Sequence, residues 1–196
     1  MMEFTTPATP LADSALLEAY FGAEAEDVLE ACNGSWQTVL SKTRNPHTPA
    51  WAALASALEI LQRALGEVLR SADAMDSPAL VRKYLRTFLL GRPAEAFVVM
   101  YLDCQHRLIR TEVAFTGTLT QTSVYPREIA RRAIELGSSA IVCAHNHPSG
   151  VSEPSQSDQH LTRQLREALA LLDVRLLDHF VIALEGDVSF AERGSI

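Results

Sequence analysis

Residues Phe97 to Leu102 are apolar without interruption. A run this short and this apolar is typical of a buried strand, and its surroundings extend that reading. Leu108–Phe115 alternates like a half-buried neighbour, and the polar stretch Asp103–Arg107 between them reads as a hairpin turn. Pro126 opens a helix that Gly137 closes, and Ala140-Ile141-Val142-Cys143 forms a second buried strand. A helix from about Gln156 to Leu172 and strands around Leu176–Leu184 and Val188–Phe190 follow. Together these elements predict a mixed α/β layer arrangement.

The front of the chain has a different period. Residues 1–12, MMEFTTPATPLA, contain prolines and no periodicity and are expected to form a flexible arm. Leu16, Leu17 and Tyr20 mark one short helix and Val28, Leu29 and Cys32 a second, with Asn33-Gly34 as a stop before Trp36–Leu40. Thr48 as N-cap and Pro49 in the first turn start a long helix to about Ser71. Its expected buried stripe is Trp51, Leu54, Leu58, Leu61, Leu65 and Val68. Ser77-Pro78 repeats the start signal for a helix with Leu80, Tyr84, Leu85 and Phe88 inward and Arg82, Lys83 and Arg86 outward. The expected organisation is an arm (1–12), a helical domain (13–75) and an α/β domain (76–196).

Composition narrows the function classes. The 196 residues are 47% hydrophobic and 21% charged, an ordinary globular balance with enough length for a real core. No apolar run approaches the roughly 20 residues of a spanning helix, and no charged start followed by an apolar stretch marks a leader. The expectation is a soluble, cytoplasmic protein with no membrane role. Cys32, Cys104 and Cys143 are odd in number and far apart, so reduced thiols are expected. A net charge of −7 disfavours binding that works by neutralising phosphates. Residues 1–75 carry ten acidic and four basic side chains, so the front piece is the poorer candidate for nucleic acid.

The chemistry concentrates in one loop. His145 and His147 follow the Ala140 strand, and Asp158 follows after Pro148, Gly150 and Pro154 have turned the chain. Residues i and i+2 leaving a strand point to one side, so the two imidazoles can converge. Asp158, in the first turn of the next helix, can supply a carboxylate as third ligand to zinc. Three protein ligands leave a position for water, the arrangement of catalytic rather than structural zinc sites. Ser155-x-x-Asp158 also fits a capping box, and the two roles are compatible. Cys143, on the same strand face as His145, reads as core rather than as a ligand. Asp178-His179 could hydrogen-bond a ligand histidine, whereas His47, His106 and His160 have no partner at useful spacing.

His145-x-His147, ten residues, then Asp158, with Ser155 three before the aspartate, resembles the JAMM (MPN-plus) metalloprotease signature. The longer text SVYPREIARRAIELGSSAIVCAHNHPSGVSEPSQSD, with LLDHFVIA and VSFAERG downstream, resembles the bacterial RadC family over about residues 76–196. The resemblance implies the JAMM fold, a cytidine-deaminase-like α/β/α sandwich with a mixed sheet, here preceded by a small all-helical domain. It implies a zinc-dependent hydrolase, with Glu95 as the glutamate that moves the water's proton and Ser155 as the oxyanion donor. The front helices resemble a degenerate helix-hairpin-helix in which Asn45-Pro46-His47-Thr48-Pro49 replaces the glycine-bearing hairpin.

Two function classes follow. One is a metallopeptidase or isopeptidase acting on a protein or peptide. The other is a DNA-associated protein with a structural or vestigial metal loop, in which Arg82, Lys83, Arg86, Arg131 and Arg132 contact phosphates. A nucleobase deaminase is excluded by the missing H-x-E and P-C-x-x-C pattern. No motif names a scissile bond, a partner or an oligomeric state.

Overall fold

The computed structural model describes residues 12–117 and 124–196. The expected arm lies, apart from Ala12, outside the described residues. Four helices come first: α1 (Asp13–Phe21), α2 (Ala25–Ala31), α3 (Trp36–Lys42) and α4 (Pro49–Ser71). Ser35 caps α3 by accepting from the Thr38 N–H, and Thr48 caps α4 by accepting from that of Trp51, with Pro49 at the first helical position where its missing N–H costs nothing. Leu17, Ala25, Cys32, Val39 and Trp51 form their common core, with the Phe21 and Trp51 rings edge to face at 4.7 Å.

After α4 come a 3₁₀ turn (Ala74–Asp76) and α5 (Pro78–Leu89), then β1 (Ala96–Leu102), β2 (Leu108–Thr116), α6 (Pro126–Glu135), β3 (Ala140–Asn146), α7 (Gln156–Ala170), β4 (Arg175–Ile182) and β5 (Asp187–Ser189). Among the described residues the strands make one sheet in the order β2-β1-β3-β4-β5. β3 and β4 pair in parallel, and the other neighbours are antiparallel. The hairpin Asp103–Arg107 joins β1 to β2 as its polar composition predicts.

Alternation along the central strands sorts side chains into two cores. Val98, Met100, Leu102, Val142, Ala144 and Phe180 face α5 and the last turns of α4. Phe97, Val99, Tyr101, Ile141 and Cys143 face α6 and α7. The result is a three-layer α/β/α arrangement with a mixed sheet, and every residue of β1 and β3 is buried. That full burial is why Phe97–Leu102 shows no polar alternation.

The buried side of α4 departs from the expected stripe. Trp51, Gly66 and Leu69 are buried, while Leu61 and Val68 are each 49% exposed. A stripe drawn at alternating steps of three and four repeats every 3.5 residues, and a straight helix drifts about 20° per heptad from that period. Trp51 and Leu69 stand five ideal turns apart and so lie on one line, which the heptad stripe has left by the end of the helix. Gly66 sits there because a Cβ would come within 3.2 Å of the Tyr84 ring. Through Trp51 at one end and Leu65 and Leu69 at the other, α4 contributes to both the front core and the sheet core.

Candidate metal centre

β3 runs further than its apolar residues alone indicate. Its last residues are His145 and Asn146, so His145 lies in the sheet between Phe97 of β1 and Val181 of β4, rather than in a loop. It is 1% exposed. His147 is the first residue beyond the strand, held by its N–H donating to the Ile182 carbonyl at 3.0 Å. The i, i+2 relation brings the two imidazoles together, with their Nε2 atoms 3.0 Å apart.

Asp158 reaches the same point from the first turn of α7. Its Oδ1 is 3.3 Å from His145 Nε2 and its Oδ2 is 3.5 Å from His147 Nε2. Ligand atoms of these three residues all lie within 4.8 Å of one another. A tetrahedral zinc with bonds of ~2.0–2.1 Å has ligand-to-ligand edges of ~3.3–3.4 Å; the His145 Nε2 to Asp158 Oδ1 separation matches that, and the two imidazole nitrogens stand slightly closer. Two imidazole nitrogens and one carboxylate are also a donor set that zinc accepts. The residues therefore fit a metal ion.

The surrounding hydrogen bonds orient the three groups. His147 Nδ1 lies 2.9 Å from the Val151 carbonyl, which can only accept, so Nδ1 carries the hydrogen and the Nε2 lone pair faces Asp158 and His145. The Ser155 N–H and hydroxyl donate to Asp158 Oδ2 at 2.7 and 2.6 Å, while Ser155 Oγ accepts from the Asp158 N–H at 3.2 Å. The capping box and the ligand cluster thus coexist on one turn of helix. Burial pushes the Asp158 carboxyl upward, but the imidazoles of His145 and His147 and the Ser155 hydroxyl beside it prevail and hold it below the usual carboxylate range. The Asp158 carboxylate in turn draws the His147 pKa upward against partial burial.

Glu95 occupies the turn between α5 and β1 and lines the same cleft of about 820 Å³ as His145, His147 and Asp158. Burial raises its pKa, and the nearby imidazoles of His145 and His147 act in the opposite sense to the Asp158 charge. Its position is set by Asn146, the residue between the two histidines. The Asn146 side chain accepts from the Ala96 N–H at 2.9 Å and donates to the Ala94 carbonyl at 3.2 Å, so it clasps the backbone on both sides of Glu95. The Glu95 carbonyl accepts from the Gly117 N–H at 2.8 Å. Spacing alone gave no reason to single out Asn146; the one available signal was a buried-strand position filled by an amide.

The other expected residues separate cleanly. His179 lies with Nε2 2.9 Å from His145 Nδ1, whereas its neighbour Asp178 turns to accept from Ser189 Oγ and from the Ala191 and His179 N–H groups. Cys143 is wholly buried in the α6/α7 core, where burial raises its thiol pKa. His47 stacks near Trp51, and His106 pairs with Asp73 at 3.2 Å. His160 is placed where its spacing gave no warning: with Gln164 it lines the cleft wall on α7.

Among the five basic residues considered for phosphate contact, Arg82 pairs with Glu192, Arg86 with Asp187, Arg131 with Glu128 and Glu135, and Arg132 with Glu112 and Glu135. Arg82 and Arg86 are on α5 and Arg131 and Arg132 on α6, against opposite faces of the sheet. They do not form one patch.

A family profile described as RadC-like JAB domain matches residues 75–195. The chain is similar to UPF0758 proteins from Nitrosomonas eutropha, 56% identical over 146 residues, and Vibrio parahaemolyticus, 51% identical over 146 residues. Each match covers 74% of this chain and 65% of the relative, so the chain spans somewhat under two thirds of the relatives' length. With the profile extending over more than half of its residues, the chain belongs to the RadC-like JAB domain family.

Proposed function

We propose that this centre hydrolyses an amide bond in a protein or peptide, as a zinc-dependent metallopeptidase or isopeptidase. The observation that carries the reading is the convergence of His145, His147 and Asp158 in a cleft that also contains the Glu95 carboxyl. A zinc ion held by those three residues supplies Lewis acidity that polarises a carbonyl and acidifies a water.

The remaining steps belong to side chains. Glu95, as carboxylate, takes the proton from the attacking water and then delivers it to the departing amine. Its place in the cleft beside the three donors puts one carboxyl within reach of both halves. The Ser155 hydroxyl donates to Asp158 Oδ2 at rest, but the Ser155 N–H bonds the same oxygen at 2.7 Å. The hydroxyl can therefore swing to a developing oxyanion without leaving that oxygen bare.

Among the described residues the cleft lining contains no lysine or arginine. Apart from the metal, a phosphate-bearing substrate would meet no lysine or arginine there, whereas an uncharged peptide bond meets neutral hydrogen-bonding groups such as Gln156 and Gln164. Elemental analysis of wild type and His147→Ala tests the reading directly. One zinc per chain, lost with the imidazole, is expected. Wild-type protein that takes up no metal on reconstitution would remove hydrolysis and leave a binding role.

A further inference from the structure

His147 and His145 present Nε2 to the same point, yet only His147 has its other nitrogen fixed by an obligate acceptor. Behind His145 lies a buried relay. His145 Nδ1 is 2.9 Å from His179 Nε2, His179 Nδ1 is 2.7 Å from Thr162 Oγ1, and Thr162 Oγ1 is 2.7 Å from the Asp158 carbonyl. His145, His179 and Thr162 are each no more than 1% exposed.

A hydroxyl has one hydrogen and a neutral imidazole has one, so with both rings neutral the relay has two self-consistent settings. In the first, Thr162 donates to the Asp158 carbonyl, His179 Nδ1–H donates to Thr162, and His145 Nδ1–H donates to His179 Nε2. That leaves the His145 Nε2 lone pair facing His147 and Asp158. In the second, Thr162 donates to His179 Nδ1, His179 Nε2–H donates to His145 Nδ1, and His145 Nε2–H points at Asp158 Oδ1, 3.3 Å away. The settings have the same protons and the same charge, and only the first can ligate.

We propose that Thr162 and His179 form a tautomer lock: the Asp158 carbonyl takes the Thr162 hydrogen, and this selects the setting in which His145 offers Nε2 to a metal. The proposal rests on the reading of His145, His147 and Asp158 as a metal centre. Thr162 and His179 are positioning residues, and α7 carries both a ligand and, one turn later, the hydroxyl that orients the opposite ligand. His147 needs no such relay because Val151 performs the same service in one step.

Thr162→Val keeps the shape and removes the hydroxyl, and Thr162→Ser keeps it. Zinc affinity by chelator competition and imidazole 15N spectra of metal-free and zinc-loaded protein provide the readouts. Thr162→Val is expected to lose about 10–100-fold in zinc affinity and to move the His145 hydrogen from Nδ1 to Nε2 in the metal-free protein. Thr162→Ser is expected to restore both. The spectra of metal-free wild type test the lock without any variant: His179 carrying its hydrogen on Nδ1 is expected, and Nε2 overturns it. Equal zinc affinity in wild type and Thr162→Val, with unchanged tautomers, also overturns the lock while sparing the metal centre. Wild type without zinc affinity overturns the metal centre and the proposal with it.

Discussion

In the proposed reaction Glu95 is the general base, and two predictions follow at the scale of the residue. Burial raises its pKa in the metal-free protein. Glu95→Gln should retain zinc and lose about 10²–10⁴-fold in turnover. Stability should move the other way. A carboxyl with a raised folded pKa binds its proton more tightly when folded, so its ionised form costs stability above that pKa and the cost vanishes as pH falls. Metal-free Glu95→Gln should therefore melt higher than wild type at neutral pH and equally in acid; an equal melting temperature at both would show the carboxyl to be well solvated. Asn146 offers the complementary case. Asn146→Ala orphans the buried Ala96 N–H, which costs about 1–3 kcal/mol, and frees the Glu95 turn. Turnover should fall with zinc affinity kept, as measured by chelator competition beside the assay, and unchanged turnover would show that Glu95 is held by other contacts.

At the scale of the element, the front helices are joined to the sheet at the end of α5. Gly91 has φ +73°, and a Cβ there would stand 2.7 Å from the Leu40 backbone on α3. Beside it, Arg44 Nη2 donates to the carbonyls of Phe88 and Leu90 at 2.9 and 2.8 Å, closing the last turn of α5. Gly91→Ala should destabilise by about 1–3 kcal/mol, since the residue is strained whatever the space and the neighbour is backbone. Chemical denaturation would register this as a lower midpoint at unchanged slope, and a midpoint within error of wild type would refute the close approach. Which elements could be read in advance follows from the same physics. β1 was legible from its unbroken apolar run, and β2, α5, α6 and α7 because each has a period or a start signal of its own. β3 was read too short because His145 and Asn146 are polar, and only tertiary partners such as Phe97, Val181 and the Glu95 turn allow them in a buried strand. The far end of α4 was misread because two periods that differ by a tenth of a residue separate only over many turns. The convergence of His145, His147 and Asp158 was legible from i, i+2 geometry and a helix start. The relay through Thr162 and His179 was half legible, since a strand and a helix distant in sequence meet only when the sheet is formed.

Across the whole molecule, the centre sits where its layers converge. Its candidate donors come from the end of β3, the residue just beyond it and the first turn of α7, and their supports come from β1, β4 and the Glu95 turn. No ligand belongs to a separate loop that could close over an ion by itself. Such a centre exists only in the folded chain, so metal affinity should appear as folding stability. A ligand bound to the native state alone stabilises by RT ln(1 + [L]/Kd), about 2.7 kcal/mol at one hundred times Kd. For a chain of this length each kcal/mol is worth about 2–4 °C, so saturating zinc should raise the melting temperature by about 5–10 °C, and a chelator should reverse it. His147→Ala should melt at one temperature with or without zinc. A rise of the same size in that variant would place the ion elsewhere, while no rise in wild type would mean that the three donors do not act together. Thr162→Val should fall between the two, because a lock that biases one ligand weakens the linkage without abolishing it.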